Sequence, residues 1–354
     1  MIEVRTFDGT AEELSDFVVG QWTASYRGRM AVPRWSADYF RWQVSPEEPG
    51  TSDCIIGAYD GTRLVGLSML VPFRFQLQDE QLSGSQASWL SVDPEFRGRG
   101  IAGKLVAASR ERHIHAGRAF QFGYAYFGSR FSLGPKFWLR RQMSTTRVLR
   151  RVGFWARVLD PSAAANWNLD RFQRTATRIL SPVMPSPRMR HPAGIIIRSA
   201  EEKDVSACLR LAEEATRHCP FRILWDAGTL RRQLGFNGFS SGLVAEAEGA
   251  VRGFVTFHLL PLIGRTEEPF GIVDQICVDQ LSTVGQTELL NAALITMQEA
   301  GAVTALKLRS GDYPRGLLLR HGWLFRPSDS HAIITWTQDP PDTKPVRNMH
   351  VLWR

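Results

Sequence analysis

The chain has 354 residues, of which 44% are hydrophobic and 22% charged, and its net charge is +8. This composition excludes a collagen-like or disordered chain, and the length favours about two globular domains. No apolar run approaches the roughly 20 residues that span a bilayer, and the N-terminus lacks a signal-peptide pattern, so a cytoplasmic protein is predicted. The positive charge favours an anionic partner, which could be nucleic acid, a membrane surface or a phosphate-rich cofactor.

The first half of the chain alternates between strand and helix patterns. Apolar residues between turn signals predict four strands, at 54–59, 63–75, 87–92 and 119–126. A helix is predicted at 101–116, because its apolar residues share one face and a glycine follows its last turn. The second half repeats this order of elements, so the sequence predicts a mixed α/β fold.

A glycine-rich loop follows the third of these strands, within the segment "SVDPEFRGRGIAGK" at 91–104. The first N–H groups of the helix that follows have no internal partner, and the helix dipole makes that end positive. Glycines leave the main chain open to a close approach, and two arginines and a lysine add charge. The loop therefore predicts a diphosphate site, although a solvated turn can have the same composition. Its spacing matches neither a P-loop nor a Rossmann fingerprint.

Two stretches far apart in the chain share one pattern. "WSADYFRWQV" begins at Trp35 and "WDAGTLRRQL" at Trp225, and each is followed by a similar hairpin, strand and helix. Matched blocks in the same order predict an internal duplication, with one domain for each copy. The predicted division is 1–158 for the N-terminal domain, 159–193 for a linker with a helix and a Pro-rich stretch, 194–338 for the C-terminal domain and 339–354 for a tail.

The loop of the first copy is not preserved in the second. At the equivalent place the second copy has "TVGQ" at 283–286, and neither arginine is present. Glu288 adds negative charge to the start of the following helix, which opposes an anion. We expect the second copy to have lost its cofactor site and to act as a scaffold.

The loop and its flanks resemble a known family. "VDPEFRGRGIA" is similar to the acetyl-coenzyme A signature of the GNAT superfamily of N-acyltransferases, [RQ]-x-x-G-x-[GA], with Arg97, Gly100 and Ala102 at its fixed positions. The resemblance covers the first half well and the second half in order and outline. It implies two tandem GNAT-like domains of the α/β class, each with a mixed central sheet whose strands splay apart and with helices on both sides.

The resemblance also implies an acetyl-CoA-dependent N-acetyltransferase and a set of cofactor contacts. The pantetheine arm would pair with a strand edge, the diphosphate would bind the loop, and a strand N–H near Val92 would stabilise the oxyanion. The implied cofactor-binding residues are Leu90, Ser91, Val92, Arg97, Gly98, Arg99, Gly100, Ile101, Ala102, Gly103 and Lys104. No metal is predicted, because the four cysteines lack metal-ligand spacing.

The acid and the base are less well defined by the sequence. The helix position where the family often has a tyrosine holds Phe137, and Tyr124 and Tyr126 lie just upstream. Tyr126 is the predicted general acid, with packing in the core as the alternative for both tyrosines. No carboxylate stands out as a base: Asp93 precedes a proline and fits a turn. A base acting through water, or an amine that is already neutral, remains open.

The acceptor is predicted only as a small-molecule or peptide amine, and no membrane partner is expected. A non-catalytic protein that senses acyl-CoA would keep the same loop and is the main alternative. The arginine-rich run at 140–157 is the best candidate for nucleic-acid binding. Nucleic acid is disfavoured as a partner, because the apolar residues of this run predict a strand with a solvated basic face. The oligomeric state is not predicted.

Overall fold

The computed structural model describes residues 1–44, 52–139, 145–180, 186–190, 194–341 and 346–354. The chain divides into two compact units, and each is discontinuous in sequence. Unit 1 contains Met1–Arg151, Asp329–Val346 and Arg354; unit 2 contains Val152–Ser328 and Arg347–Trp353.

Unit 1 is a mixed sheet with helices. Numbered along the whole chain, its elements are β1 (Ile2–Thr6), α1 (Ala11–Tyr26), β2 (Val32–Pro33), α2 (Ala37–Val44), β3 (Ile55–Asp60), β4 (Arg63–Leu77), β5 (Glu80–Val92), α3 (Ile101–His115), β6 (Phe120–Tyr126), α4 (Gly134–Trp138), β7 (Thr146–Val152) and β16 (Ser330–Trp336). Its strands lie in the order β1-β3-β4-β5-β6-β16-β7. All four strands and the helix predicted in this half are present, with β4 and β5 extended into a long hairpin.

The packing of α3 fixes where its first turn lies. Ile101 and Leu105 are buried against the apolar face of β3 and β4. A Cβ on Gly66 would lie 2.7 Å from Ile101 Cγ2, so glycine at this position lets the helix approach β4 closely. This contact holds the start of α3 beside the end of β5.

Unit 2 repeats the architecture. Its elements are β8 (Phe154–Val158), α5 (Pro161–Trp167), α6 (Arg171–Leu180), β9 (Ile195–Ser199), α7 (Val205–Thr216), β10 (Phe221–Leu224), α8 (Ala227–Gln233), β11 (Ser240–Ala247), β12 (Ala250–Ile263), β13 (Glu267–Cys277), α9 (Thr283–Glu299), β14 (Thr304–Leu308), α10 (Arg315–Arg320), β15 (Leu324–Phe325) and β17 (Met349–His350). The main strand order is β15-β8-β14-β13-β12-β11-β9.

The units differ from the predicted division of the chain. β8 precedes the predicted boundary at 158, but it pairs with β14 in the sheet of unit 2. β16 precedes the boundary at 338, but it pairs with β6 in the sheet of unit 1. Each copy therefore supplies a strand to the sheet of the other.

The predicted linker at 159–193 is partly built into unit 2. Trp167, at the end of α5, is buried, donates its indole N–H to the Leu262 carbonyl at 2.7 Å and packs on Phe270. Of the Pro-rich stretch that follows α6, residues 181–185 and 191–193 lie outside the described residues.

Candidate functional site

A short 3₁₀ turn, Pro94–Phe96, connects β5 to the glycine-rich loop. Asp93 caps this turn by accepting the Glu95 N–H at 3.0 Å, and its carboxylate also accepts from Arg63 at 2.8 Å. Asp93 is buried by these contacts. It is a turn former here, and its carboxylate is held by protein groups.

Glycine is required at two positions of the loop by the backbone. Gly98 has φ +81° and Gly100 has φ +77°, both in the left-handed region, and Gly100 is the N-cap of α3. A Cβ at either position would enter open space with no atom within 4 Å. The first main-chain bond of the helix runs from Lys104 N–H to the Gly100 carbonyl. The N–H groups of residues 98–103 have no acceptor among the described residues, so they are available to an anion.

The basic side chains of the loop have different roles. Arg97 donates to the Val92 carbonyl at 3.2 Å and to Ser25 Oγ, so it braces the loop against α1. Arg99 stacks on the Phe96 ring at 4.6 Å, and Lys104 Nζ lies 3.5 Å from the Ile2 carbonyl. All three side chains are exposed and surround the N-terminus of α3 with positive charge.

The parallel pair β5 and β6 separates before either strand ends. The pairing joins Gly84 to Gln86 with Phe120 to Phe122, and it ends there. Two residues of β5, Trp89 and Leu90, lie opposite one residue of β4, and Trp89 has φ +61°. A bulge with a left-handed tryptophan is strained, and such strain is typical of functional sites. The edge at Leu90, Ser91 and Val92 has no strand partner on the β6 side within the described chain.

Aromatic side chains from α1, the loop before α2, α2 and β5 fill the space behind the bulge. Ser91 fixes this arrangement, because its Oγ accepts from Trp22 Nε1 and donates to the Trp89 carbonyl, each at 2.9 Å. The rings pack edge to face with centroids 5.0 to 6.5 Å apart. The members of this aromatic cluster are Trp22, Trp35, Tyr39, Phe40 and Trp89.

Two tyrosines lie in this region, Tyr126 on the separated part of β6 and Tyr26 against Trp22 on α1. Tyr126 is half-buried at the end of β6, and its hydroxyl lies 2.6 Å from the point where a Gly128 Cβ would be. Tyr26, at the end of α1, was not among the residues predicted from the sequence. Burial raises the pKa of Tyr26, while the charge of Arg97 and a main-chain hydrogen bond at Leu133 oppose this rise. Its spacing of four residues from Trp22, on the same helix face, is the signal that could have identified it.

Arg354 is also part of this region of unit 1, and no sequence pattern indicated it. Its carbonyl accepts from Ser88 Oγ at 3.0 Å, and Ser88 immediately precedes the bulge. Its guanidinium donates to Gln43 Oε1 at 3.0 Å and lies 4.6 Å from the centre of the Trp42 ring. Arg354 therefore joins α2 to the separated part of β5.

A glycine loop at a helix N-terminus, directly after a strand that leaves its neighbour, is the arrangement that the sequence signature implied. A family model described as an acetyltransferase (GNAT) domain matches residues 16–132, which include the loop and the bulge. Residues 16–132 therefore match a GNAT domain. A comparison with curated proteins gave no match.

Solved structures similar to this chain include two from different organisms. Saccharomyces cerevisiae N-myristoyltransferase with bound myristoyl-CoA is 14% identical and has a TM-score of 0.76, with 100% of this chain and 89% of that chain covered. A GCN5-related N-acetyltransferase from Kribbella flavida is 16% identical and has a TM-score of 0.54, with 94% and 70% covered. These likenesses concern the fold, and the predicted α/β class with two tandem GNAT-like domains is confirmed.

In the second GNAT-like copy, protein groups occupy the place that corresponds to the open space at the loop of the first copy. Ser282 caps α9 by accepting the Gly285 N–H, and the Gln286 side chain donates to two loop carbonyls. A Cβ on Gly285 would lie 3.1 Å from the Ile195 side chain. Glu288 does not project at the helix start as the sequence suggested, because it is buried and accepts the Arg190 N–H at 2.7 Å.

Buried charges lie where β13 and β14 separate in the second copy. The pairing of β13 with β14 ends at Val273 and Lys307, and Lys307 Nζ donates to the Asp274 carbonyl at 2.7 Å. Asp312 lies 3.5 Å from the same ammonium and 2.7 Å from His350 Nδ1. Burial by itself raises the pKa of Asp312, but Lys307 and the hydrogen bonds from His350 and Ser310 outweigh it and lower that pKa to about 2.

The arginine-rich run is divided between the two units. Arg147 and Arg151 are exposed on β7, whereas Arg157 on β8 is buried. Residues 140–144 lie outside the described residues. The run therefore does not form one continuous basic surface over its described part.

Three further observations concern metals, thiols and membranes. Within the described residues, no three His, Cys, Asp or Glu side chains are grouped so that they could hold a cation. The four cysteines are buried free thiols. In the same parts of the chain, no helix has both the length and the apolar character needed to cross a bilayer.

Proposed function

We propose that this protein transfers an acyl group from acyl-CoA to a primary amine of a small molecule or peptide, and that its donor is acetyl-CoA. The observation that carries the proposal is the run of N–H groups at 98–103 beside the unpaired edge at 90–92. Open space above Gly98 and Gly100 fits a diphosphate, which a Cβ would displace. Acyl-CoA supplies the activated thioester.

Each part of the site has a defined task in this proposal. The loop and the basic groups around it bind the diphosphate, and the edge of β5 pairs with the amide groups of the pantetheine arm. The Asp93 N–H already donates to the Val65 carbonyl, so the oxyanion donor is assigned to β5 at or before Val92. The amine attacks directly in a ternary complex, and a tyrosine protonates the leaving thiolate.

Acetyl is proposed as the acyl group because the aromatic cluster occupies the space behind the bulge. Trp35, Tyr39, Phe40 and Trp89 are each at most 4% exposed, so the cluster is closely packed. A long acyl chain entering there would have to displace these rings, and losing such packing costs about 3–5 kcal/mol for each large ring. A two-carbon acyl group requires no such displacement.

The test is turnover, measured as CoA release with a panel of aminosugars, polyamines and peptides. We expect steady release from acetyl-CoA with at least one amine, and a kcat/KM at least about tenfold lower with myristoyl-CoA. Faster transfer from myristoyl-CoA than from acetyl-CoA would contradict only the choice of acetyl as the acyl group. Binding of acyl-CoA without release for any amine would instead favour a non-catalytic sensor.

Tyr126 is proposed as the general acid, and its removal gives a second expected result. Tyr126→Phe lowers kcat at least about tenfold, equivalent to about 1.4 kcal/mol, and leaves the affinity for acetyl-CoA unchanged. Tyr26→Phe is the matched variant, because Tyr26 is a second half-buried tyrosine and packs on Trp22, which binds Ser91 of β5. If only Tyr26→Phe shows this loss of kcat, the acid is Tyr26 and Tyr126 packs in the core.

A further inference from the structure

Helix α6 presents large apolar side chains to solvent. Its sequence is "RFQRTATRIL", and Phe172 is 81% exposed while Ile179 is 69% exposed. Residues seven apart lie on the same face of a helix, so these two side chains project in the same direction. Single exposed apolar residues are common on protein surfaces, but a pair on one helix face is typical of an interaction surface.

Arginines lie on the face of α6 next to this apolar pair. Arg171, Arg174 and Arg178 lie on α6, and the ten residues of the helix include no acidic side chain. Arg265 joins them from the turn between β12 and β13, where its N–H donates to the Trp167 carbonyl at 3.0 Å. Burial, followed by the charges of Arg265, Arg171 and Arg178, lowers the pKa of Arg174. The carboxylate of Asp170 partly opposes this effect on the pKa of Arg174.

The inward side of α6 is attached to unit 2, which leaves the apolar and basic face outward. On the inward side Thr177 accepts from the Asn168 side chain, whereas Arg178 stays exposed and donates one bond to Asn166 Oδ1 at 3.3 Å. Asp170 accepts the Gln173 N–H at 2.8 Å and so caps the helix. In the described residues, no other element covers Phe172 or Ile179.

We propose that α6 docks on an anionic lipid surface, with Phe172 and Ile179 inserted at the boundary of headgroups and acyl chains. The arginines of α6 and Arg265 would pair with the phosphates of the headgroups. An amphipathic basic helix that lies in the interface plane combines these two contacts. RNA would neutralise the arginines but leave the apolar pair in water, so the lipid surface fits better. Docking of this kind is peripheral and needs no membrane span, and it departs from the sequence-based expectation that the protein has no membrane partner.

The test is co-sedimentation of the full chain with vesicles. The protein should pellet with phosphatidylcholine vesicles that contain phosphatidylglycerol and stay in solution with pure phosphatidylcholine. Replacing Arg171, Arg174 and Arg178 together by glutamine should lower partitioning at least about a hundredfold, at about fivefold for each charge. Phe172→Ser with Ile179→Ser should lower it at least about tenfold, because the inserted apolar area is lost.

The controls separate docking from general charge and from misfolding. Replacing the same three arginines by lysine keeps the charge and should keep most of the binding. Arg210→Gln with Leu319→Ser removes an exposed cation and an exposed apolar side chain elsewhere in unit 2, and should change nothing. The proposal would be overturned by any of three results: equal binding to both kinds of vesicle, no binding to either kind, or unchanged binding of the glutamine variant. RNA is the other candidate ligand. If the parent binds no vesicles but shifts RNA in a salt-dependent way, and the glutamine variant does not shift RNA, the proposal is overturned in favour of RNA.

Discussion

Gly100→Val is expected to weaken binding of acetyl-CoA at least about a hundredfold, equivalent to about 2.7 kcal/mol. The Cβ of valine would project into the open space above the N-terminus of α3, where the diphosphate is proposed to bind. Isothermal titration calorimetry with the full chain measures both the affinity and the number of sites. We expect one site per chain, in unit 1, because Ser282 and the Ile195 side chain occupy the equivalent place in the second copy.

Gly117→Val is the matched control for this substitution. Gly117 follows α3 with φ +63° and also has no atom within 4 Å of its Cβ position. Both variants carry the strain of a β-branched residue in the left-handed region, of order 1–2 kcal/mol. Only Gly100→Val should lose affinity. Equal affinities of the two variants for acetyl-CoA would contradict the assignment of the diphosphate to the loop. A second binding site that survives Gly100→Val would show that the C-terminal copy also binds acetyl-CoA.

Asp312→Asn is expected to lower the free energy of unfolding by about 3–5 kcal/mol at neutral pH. The substitution leaves the Lys307 ammonium buried beside a neutral amide, and removing one partner of a buried pair costs about this much. Urea denaturation measures the change. Asp279→Asn on the exposed turn after β13 is the control, and it should stay within about 0.5 kcal/mol of the parent.

The same pair gives a pH dependence with a defined sign. The folded pKa of Asp312, about 2, is below the ordinary value of 3.8 for an aspartate, so ionised Asp312 stabilises the fold above pH 3.8. This contribution, about 2 kcal/mol, is lost as the pH falls from 3.8 to 2. Stability of the parent should fall over that range, and the fall should be smaller in Asp312→Asn.

A double substitution distinguishes a specific pair from general damage. Asp312→Asn with Lys307→Met removes both charges, so it should recover at least about half of the stability that Asp312→Asn loses. A double variant that is no more stable than Asp312→Asn would show that the two charges do not interact. Acetyl-CoA binding in unit 1 serves as a readout that the rest of the chain is folded.

The sequence by itself determined the local features of this protein. The glycines at 98 and 100, the Asp93 turn and the start of α3 depend on residues adjacent in the chain, so their pattern was sufficient to predict them. The predicted strands of the first half also correspond to β3, β4, β5 and β6. The fold class followed, because hydrophobic period and turn residues specify elements without reference to their partners.

Only the tertiary structure decided which strand belongs to which sheet. β8 and β16 are short apolar strands that follow similar blocks in the two copies, and nothing in their sequences selects β14 or β6 as a neighbour. The choice depends on the register and packing of residues far apart in the chain. For this reason the predicted boundaries at 158 and 338 differ from the two compact units.

The tertiary structure also assigned roles that residue type alone suggested wrongly or not at all. A lysine in a sequence is expected at the surface, yet Lys307 is buried, because folding brings Asp312 and the Asp274 carbonyl to it. Arg354 lies far from β5 in sequence and reaches Ser88 only through packing, and Tyr26 in the same way comes close to Arg97 of the loop. Contacts of this kind join residues that are far apart in the sequence. They depend on how the folded core packs, so no local sequence pattern indicates them.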